Sequence, residues 1–134
     1  MSRRELREQI FLLLFRVEFN SAEDMPEQVT RFFENRESDV QPEDKHYISD
    51  KYEKIMSRLS EIDGQINEKA KGWDTGRMGK VDLTIIRLAV YEILFDEDIP
   101  TGVAINEAVE LAKKFGQDES SGFINGVLAK FAEK

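Results

Sequence analysis

At 134 residues and a formal net charge of −8, the chain has the length of one domain, and its acidity excludes the broad phosphate affinity of a generally basic nucleic-acid binder. With no cysteine, disulfides, thiolate metal sites and a cysteine nucleophile are excluded, and the expected address is the cytoplasm. Forty percent hydrophobic residues, with nine Phe, mark a folded chain, while the longest apolar run, IFLLLF, falls far short of the roughly 20 residues of a spanning helix, so no membrane is expected.

No segment alternates as a strand does, and several repeat apolar residues at three and four, so the expected fold class is all-α. The opening RRELREQIFLLLF predicts a first helix from about Arg3 to Phe19, apolar nearly all round and therefore packed on several sides. A second helix is expected from near Ser21, with Pro26 in its first turn and Val29, Phe32 and Phe33 facing inward, before NRESDVQPED forms a surface loop. Residues 17–50 carry ten carboxylates against three basic side chains, so the acidity is regional and the arginine-rich start stands apart from it. From Asp44 to about Lys71 the helical spacing continues, with a bend placed at Gly64; one long helix and two collinear helices fit equally.

The glycine-rich KGWDTGRMGKVD reads as a connection into a core helix, VDLTIIRLAVYEILF, whose Leu83, Ile86, Leu88, Val90, Ile93 and Leu94 surround the axis. Arg87 and Glu92 are its exceptions, and an internal ion pair is preferred for Arg87 over a partner-facing role. Thr101 is the expected cap of the next helix, Gly116 its end, and Asp118 the cap of the last, ESSGFINGVLAKFAE. Asn106 and Asn125 read as buried amides bonded to backbone, and Gly126 as a point of close helix packing.

Catalytic chemistry is missing. The one histidine, His46, reads as solvent-facing, with no base-and-nucleophile arrangement around it. GWDTGRMGK lacks the spacing, the following Ser or Thr, and the preceding strand of a phosphate loop. Glu107 and Glu110 share a face but read as solvated carboxylates, so no metal, cofactor or enzyme activity is expected. What remains is the first helix. At 100° per residue, Arg4, Arg7, Phe11 and Phe15 fall on one side and Leu6, Ile10, Leu13 and Val17 on another. The first group makes a basic lane with ring faces, suited to single-stranded RNA; the competing reading puts both rings in the core and leaves the arginines as solvated charges. Cations at a helix N-terminus oppose the dipole, which Glu5 and Glu8 partly offset.

VAINEAVELAKKFGQDESSGFINGVLAKF, preceded by IIRLAVYEIL and DIP, resembles the NusB family of bacterial transcription antitermination and ribosomal RNA synthesis factors. The opening Arg-Arg, Arg7-Glu8 and LLLF fall where that family keeps its arginine-rich first helix, so the resemblance spans nearly the whole chain. It implies a single domain over residues 1–134 with about seven helices in two packed bundles. It also implies two partners: boxA-type single-stranded RNA of ribosomal operons, and NusE, a small-subunit ribosomal protein. The function the resemblance implies is that the pair, with other Nus factors on RNA polymerase, suppresses premature termination. Arg3, Arg4 and Arg7 match the arginine motif that contacts RNA; Phe15 and Phe123 match RNA-proximal aromatics, Glu119 an acidic position near the RNA side, and Asp82 an acidic position at the NusE contact. Gly122 stands where several relatives carry Lys, and Phe15 lacks a tyrosine's hydroxyl. Some relatives are homodimers, so self-association is among the expectations. The alternative is a NusB-like helical adaptor between proteins with weak RNA binding.

Overall fold

The computed structural model describes residues 1–34 and 40–132. Among them are seven α-helices and no strand: α1 Arg3–Phe15, α2 Met25–Glu34, α3 Pro42–Ser57, α4 Leu59–Lys69, α5 Lys80–Phe95, α6 Thr101–Phe115 and α7 Ser120–Ala132. The all-α expectation and the helix number hold. Residues 35–39 of the surface loop expected at NRESDVQPED, and the last residue of the expected final helix, lie outside the described residues, while Pro42, Glu43 and Asp44 of that expected loop already form the first turn of α3. The helices fall into two compact units, Met1–Met56 and Ser57–Lys134.

In the first unit, α1 ends at Phe15 and a 3-10 turn, Arg16–Phe19, replaces the helix expected to run on to Phe19. A tertiary contact accounts for the change: the Arg16 guanidinium donates to the Gln28 backbone and side-chain oxygens, both at 3.2 Å, and lies 5.2 Å from the Phe32 ring centre. Ser21 precedes α2 rather than starting it, its hydroxyl accepting the Asp24 N–H at 3.3 Å. Ile10, Phe11, Leu13, Leu14, Met25, Phe32, Phe33, Ile48, Tyr52 and Ile55 are buried.

In the second unit, α5 is the central element. Nine of its sixteen residues are buried, and α6 and α7 pack on it and on each other while α4 lies alongside. Leu94, expected in the core, is instead exposed near the helix end. The long central segment breaks into α3 and α4 at Arg58, with Gly64 inside α4. Arg58 sits 4.4 Å from the Phe95 ring centre and bonds Glu61, contacts that hold it outside helical geometry at φ −118°. Pro100, not Thr101, occupies the cap position of α6. At the α6–α7 corner the buried Ser120 hydroxyl, at the start of α7, reaches back to accept the Gln117 N–H at 2.9 Å. Gly116 closes α6 as expected. Asn106, Asn125 and Gly126 are exposed, so the buried-amide and close-packing readings fail.

Arg87 resolves as an internal pair. Its Nε and terminal nitrogen each donate to one Asp63 carboxylate oxygen at 2.8 Å, a bidentate clasp from α5 to α4.

Candidate nucleic-acid interface

The arginine-rich helix begins with a cap that partly offsets the unfavourable dipole. Ser2 accepts the Glu5 N–H at 3.0 Å and its own N–H bonds the Glu5 carboxylate at 3.2 Å, a reciprocal capping box. These bonds from Ser2, backbone first and side chain second, hold the Glu5 carboxyl below its ordinary value, so a negative charge persists in the first turn beside the arginines. Arg3 and Arg4 are exposed, whereas Arg7 is only 8% exposed and engaged with neighbours, as is Arg4. Of the two rings in the expected lane, Phe11 is 2% exposed and belongs to the core, while Phe15 is half-buried; the rings stack with centres 5.9 Å apart. The basic lane thus divides, with guanidinium groups in solvent at one end and a partly open ring at the other.

The second unit brings the remaining expected residues to α7 and its surroundings. Glu119, exposed, lies one turn before Phe123, whose N–H bonds the Glu119 carbonyl at 3.1 Å. Phe123 is half-buried and meets the Trp73 ring edge-on, centres 5.4 Å apart. Trp73 comes from the glycine-rich connection, which is fastened by the Trp73 N–H to Ala70, by the Thr75 N–H to the Asn67 side chain at 2.7 Å, and by a left-handed Gly72 at φ 86° that only glycine adopts readily. The turn leaves Trp73 54% exposed beside a groove of about 300 Å³ that it lines with Phe123, Gly122, Gly126, Lys71 and Lys130. Reading the sequence as a simple connection missed Trp73; the signal was a lone Trp in a segment otherwise made of turn residues, where an apolar ring has no core to enter.

Asp82, in the first turn of α5, is half-buried and lines a separate pocket with Lys80, Gly116 and Ser120. Exposed guanidinium groups hold phosphates, and exposed rings stack on bases without reading their edges. His46 is exposed, and among the described residues no group of His, Cys, Asp and Glu is arranged to hold a metal. No described helix is long and apolar enough to cross a membrane.

A model of the NusB family matches residues 4–133. A transcription antitermination protein NusB from Agathobacter rectalis is 53% identical over 132 residues, spanning 98% of this chain and 100% of that protein. Among solved structures, T. maritima NusB superposes with a TM-score of 0.88 at 34% identity, covering 100% of this chain and 92% of that one. A crystal structure of the antitermination factors NusB and NusE in complex with double-stranded RNA superposes with a TM-score of 0.83 at 25% identity, covering 96% and 94%. The match over nearly every residue, together with the capped arginine helix and the aromatic groove on α7, places the chain in the NusB family, that of the transcription antitermination proteins it resembles.

Proposed function

We propose that the chain binds boxA-type RNA together with NusE and, joined to RNA polymerase and other Nus factors, helps transcription pass premature termination. The observation that carries this reading is the exposure of Arg3 and Arg4 at the capped start of a helix in an otherwise acidic chain. Phosphates sit on these two guanidinium groups, with Arg7 supporting them from its buried place in the next turn. Bases stack on Phe15 and Phe123, and Trp73 adds a ring beside Phe123. Glu119, bearing no positive charge, accepts from base amino groups rather than holding phosphate. Asp82, apart from the arginine helix in sequence and set in its own pocket, contacts NusE. A relative's complex with NusE and RNA supports this choice of partners.

Binding of a boxA single strand, measured at several salt concentrations with and without NusE, tests the reading. Replacing Arg3 and Arg4 by Ala should reduce the log–log salt slope by about 1.4, at ~0.7 per phosphate on a single strand. Melting temperature should barely move, since exposed charges contribute little to folding. A slope unchanged by the double substitution, in a parent that captures NusE normally, would favour the adaptor reading. A duplex competitor separates single-strand from double-strand preference. Sedimentation at rising concentration reports a homodimer that covers the basic end until RNA arrives.

A further inference from the structure

Arg3, Arg7, Phe11, Phe15 and Phe19 fall at every fourth position, a row that winds about 40° per step round α1 and turns further on the 3-10 segment. The middle of the row is sunk into the core at Arg7 and Phe11, and both ends emerge, Arg3 at one and Phe19 at the other. Phe19 is 60% exposed, more than Trp73, and its ring meets Phe15 edge-on, centres 5.0 Å apart and planes at 79°. The Phe11–Phe15 step, by contrast, is nearly parallel at 19°.

The turn explains the change of angle. A 3-10 segment advances about 120° per residue where an α-helix advances about 100°, so four residues carry Phe19 roughly 80° further round the axis than a continued helix would. That rotation is fixed in place, since the Arg16 side chain is anchored on Gln28 and Phe32 and its carbonyl accepts from the Asn20 amide at 2.8 Å. A ring set against a neighbour on an anchored turn is presented with less freedom than an isolated one, which lowers the entropy cost of stacking on it.

We propose that Phe19 is a base-stacking residue for the RNA strand, offering its exposed ring surface to a nucleobase beside Phe15; this rests on the RNA-binding function above. The occupant follows from the neighbour: Phe19 packs against Phe15, a base-stacking ring of the function above, and so extends the aromatic surface of that site. Exposed Arg3 supplies phosphate contact at the far end of α1, an axial rise of about 26 Å away, so a strand of several nucleotides is needed to reach both. Glu18, Glu23 and Asp24 lie near Phe19 in sequence and repel phosphate, but an uncharged base is indifferent to them, so the strand would lie with its backbone toward the arginines and a base at the ring.

The test measures binding of a boxA strand of roughly twelve nucleotides to the full chain with NusE, at two salt concentrations, for the parent, Phe19→Leu, Phe19→Trp and Arg3→Ala. Phe19→Leu keeps apolar bulk and removes the flat ring. It should lose about 5- to 150-fold in affinity, the range for one stacked base, at both salts and with an unchanged salt slope. Phe19→Trp should bind like the parent, and all three variants should melt within a few degrees of it. Parental RNA affinity in Phe19→Leu, with Arg3→Ala weakened, would overturn the inference and leave the function standing. Weaker NusE capture by Phe19→Leu at unchanged RNA affinity would overturn it in favour of a protein contact. A parent that binds no RNA in either setting would remove both the inference and the function beneath it.

Discussion

Replacing Asp63 by Ala removes the carboxylate that receives two nitrogens of Arg87, and the cost can be sized from the geometry. Both bonds are 2.8 Å, and the two side chains are 14% and 25% exposed, which places the pair between the exposed and the fully buried cases. Exposed pairs contribute about 0–1 kcal/mol, and breaking a fully buried one costs about 3–5 kcal/mol, so about 2 kcal/mol is expected here. With an unfolding entropy of about 2.1 cal/mol/K per residue, the 134-residue chain loses roughly 7 °C of melting temperature. Arg87→Lys keeps the charge but not the fork, and should recover only part of the loss seen in Arg87→Ala. Urea titrations of Asp63→Ala, Arg87→Ala and the double variant give the coupling directly. Single variants within 0.5 kcal/mol of the parent, or a coupling near zero, would refute the assignment of Arg87 as a structural clasp. They would return it to the partner-facing role.

Gly116→Ala should destabilise by about 1–3 kcal/mol, because a Cβ there would lie 2.6 Å from Ser120 Cβ and Oγ and 2.8 Å from the Ala112 carbonyl; Ser120→Gly should restore only part of this, as urea midpoints will show. Glu5 is held ionised by its Ser2 bonds, so its folded pKa is lower than its unfolded one; the support it gives α1 is present above about pH 4.5 and lost as pH falls through the folded value. Amide chemical shifts at the start of α1 should follow that acid transition in the parent and lose it in Glu5→Gln; an identical profile in both would exclude the capping box as its source. Trp73→Ala, at a 54% exposed position, should leave the melting temperature nearly unchanged and weaken RNA binding by about 1–3 kcal/mol. Combined with Phe123→Ala its effect should be less than additive, since the rings touch, and full additivity in a binding titration would argue for separate sites.

The core was legible where periodicity and burial coincide. Leu83, Ile86, Leu88 and Val90 are buried as their spacing in α5 required, and the glycine-rich run does connect α4 to α5. Periodicity fails where a contact distant in sequence decides. The helix breaks at Arg58 because Phe95 lies beneath it, and α1 stops at Phe15 because Arg16 is drawn to Gln28, neither of which a local window contains. An amide within an apolar run reads as a satisfied core residue, yet Asn106 and Asn125 both fall on the outer side of their helices. For the candidate interface, composition and angle picked out the arginine helix, and the resemblance supplied Glu119, Phe123 and Asp82. Neither distinguished Arg7 from Arg3 and Arg4, because a charged residue is ordinarily read as exposed and only packing reveals that this one is not. The Trp73–Phe123 pairing had no sequence signature at all, since its halves come from a turn and a helix far apart in the chain.

Gly122 and Gly126 sit one helical turn apart in α7 with open space where a Cβ would be, so no steric demand explains either. Each weakens its helix by about 1 kcal/mol relative to alanine. The midsection of α7 should therefore exchange its amide protons with solvent faster than α5 does, and should be slowed when a ligand fills the adjoining groove. Vacant positions also admit new chemistry at little cost: a side chain can start from position 122 beside the groove with no clash at its Cβ, so this stretch of backbone is one where affinity can drift in either direction.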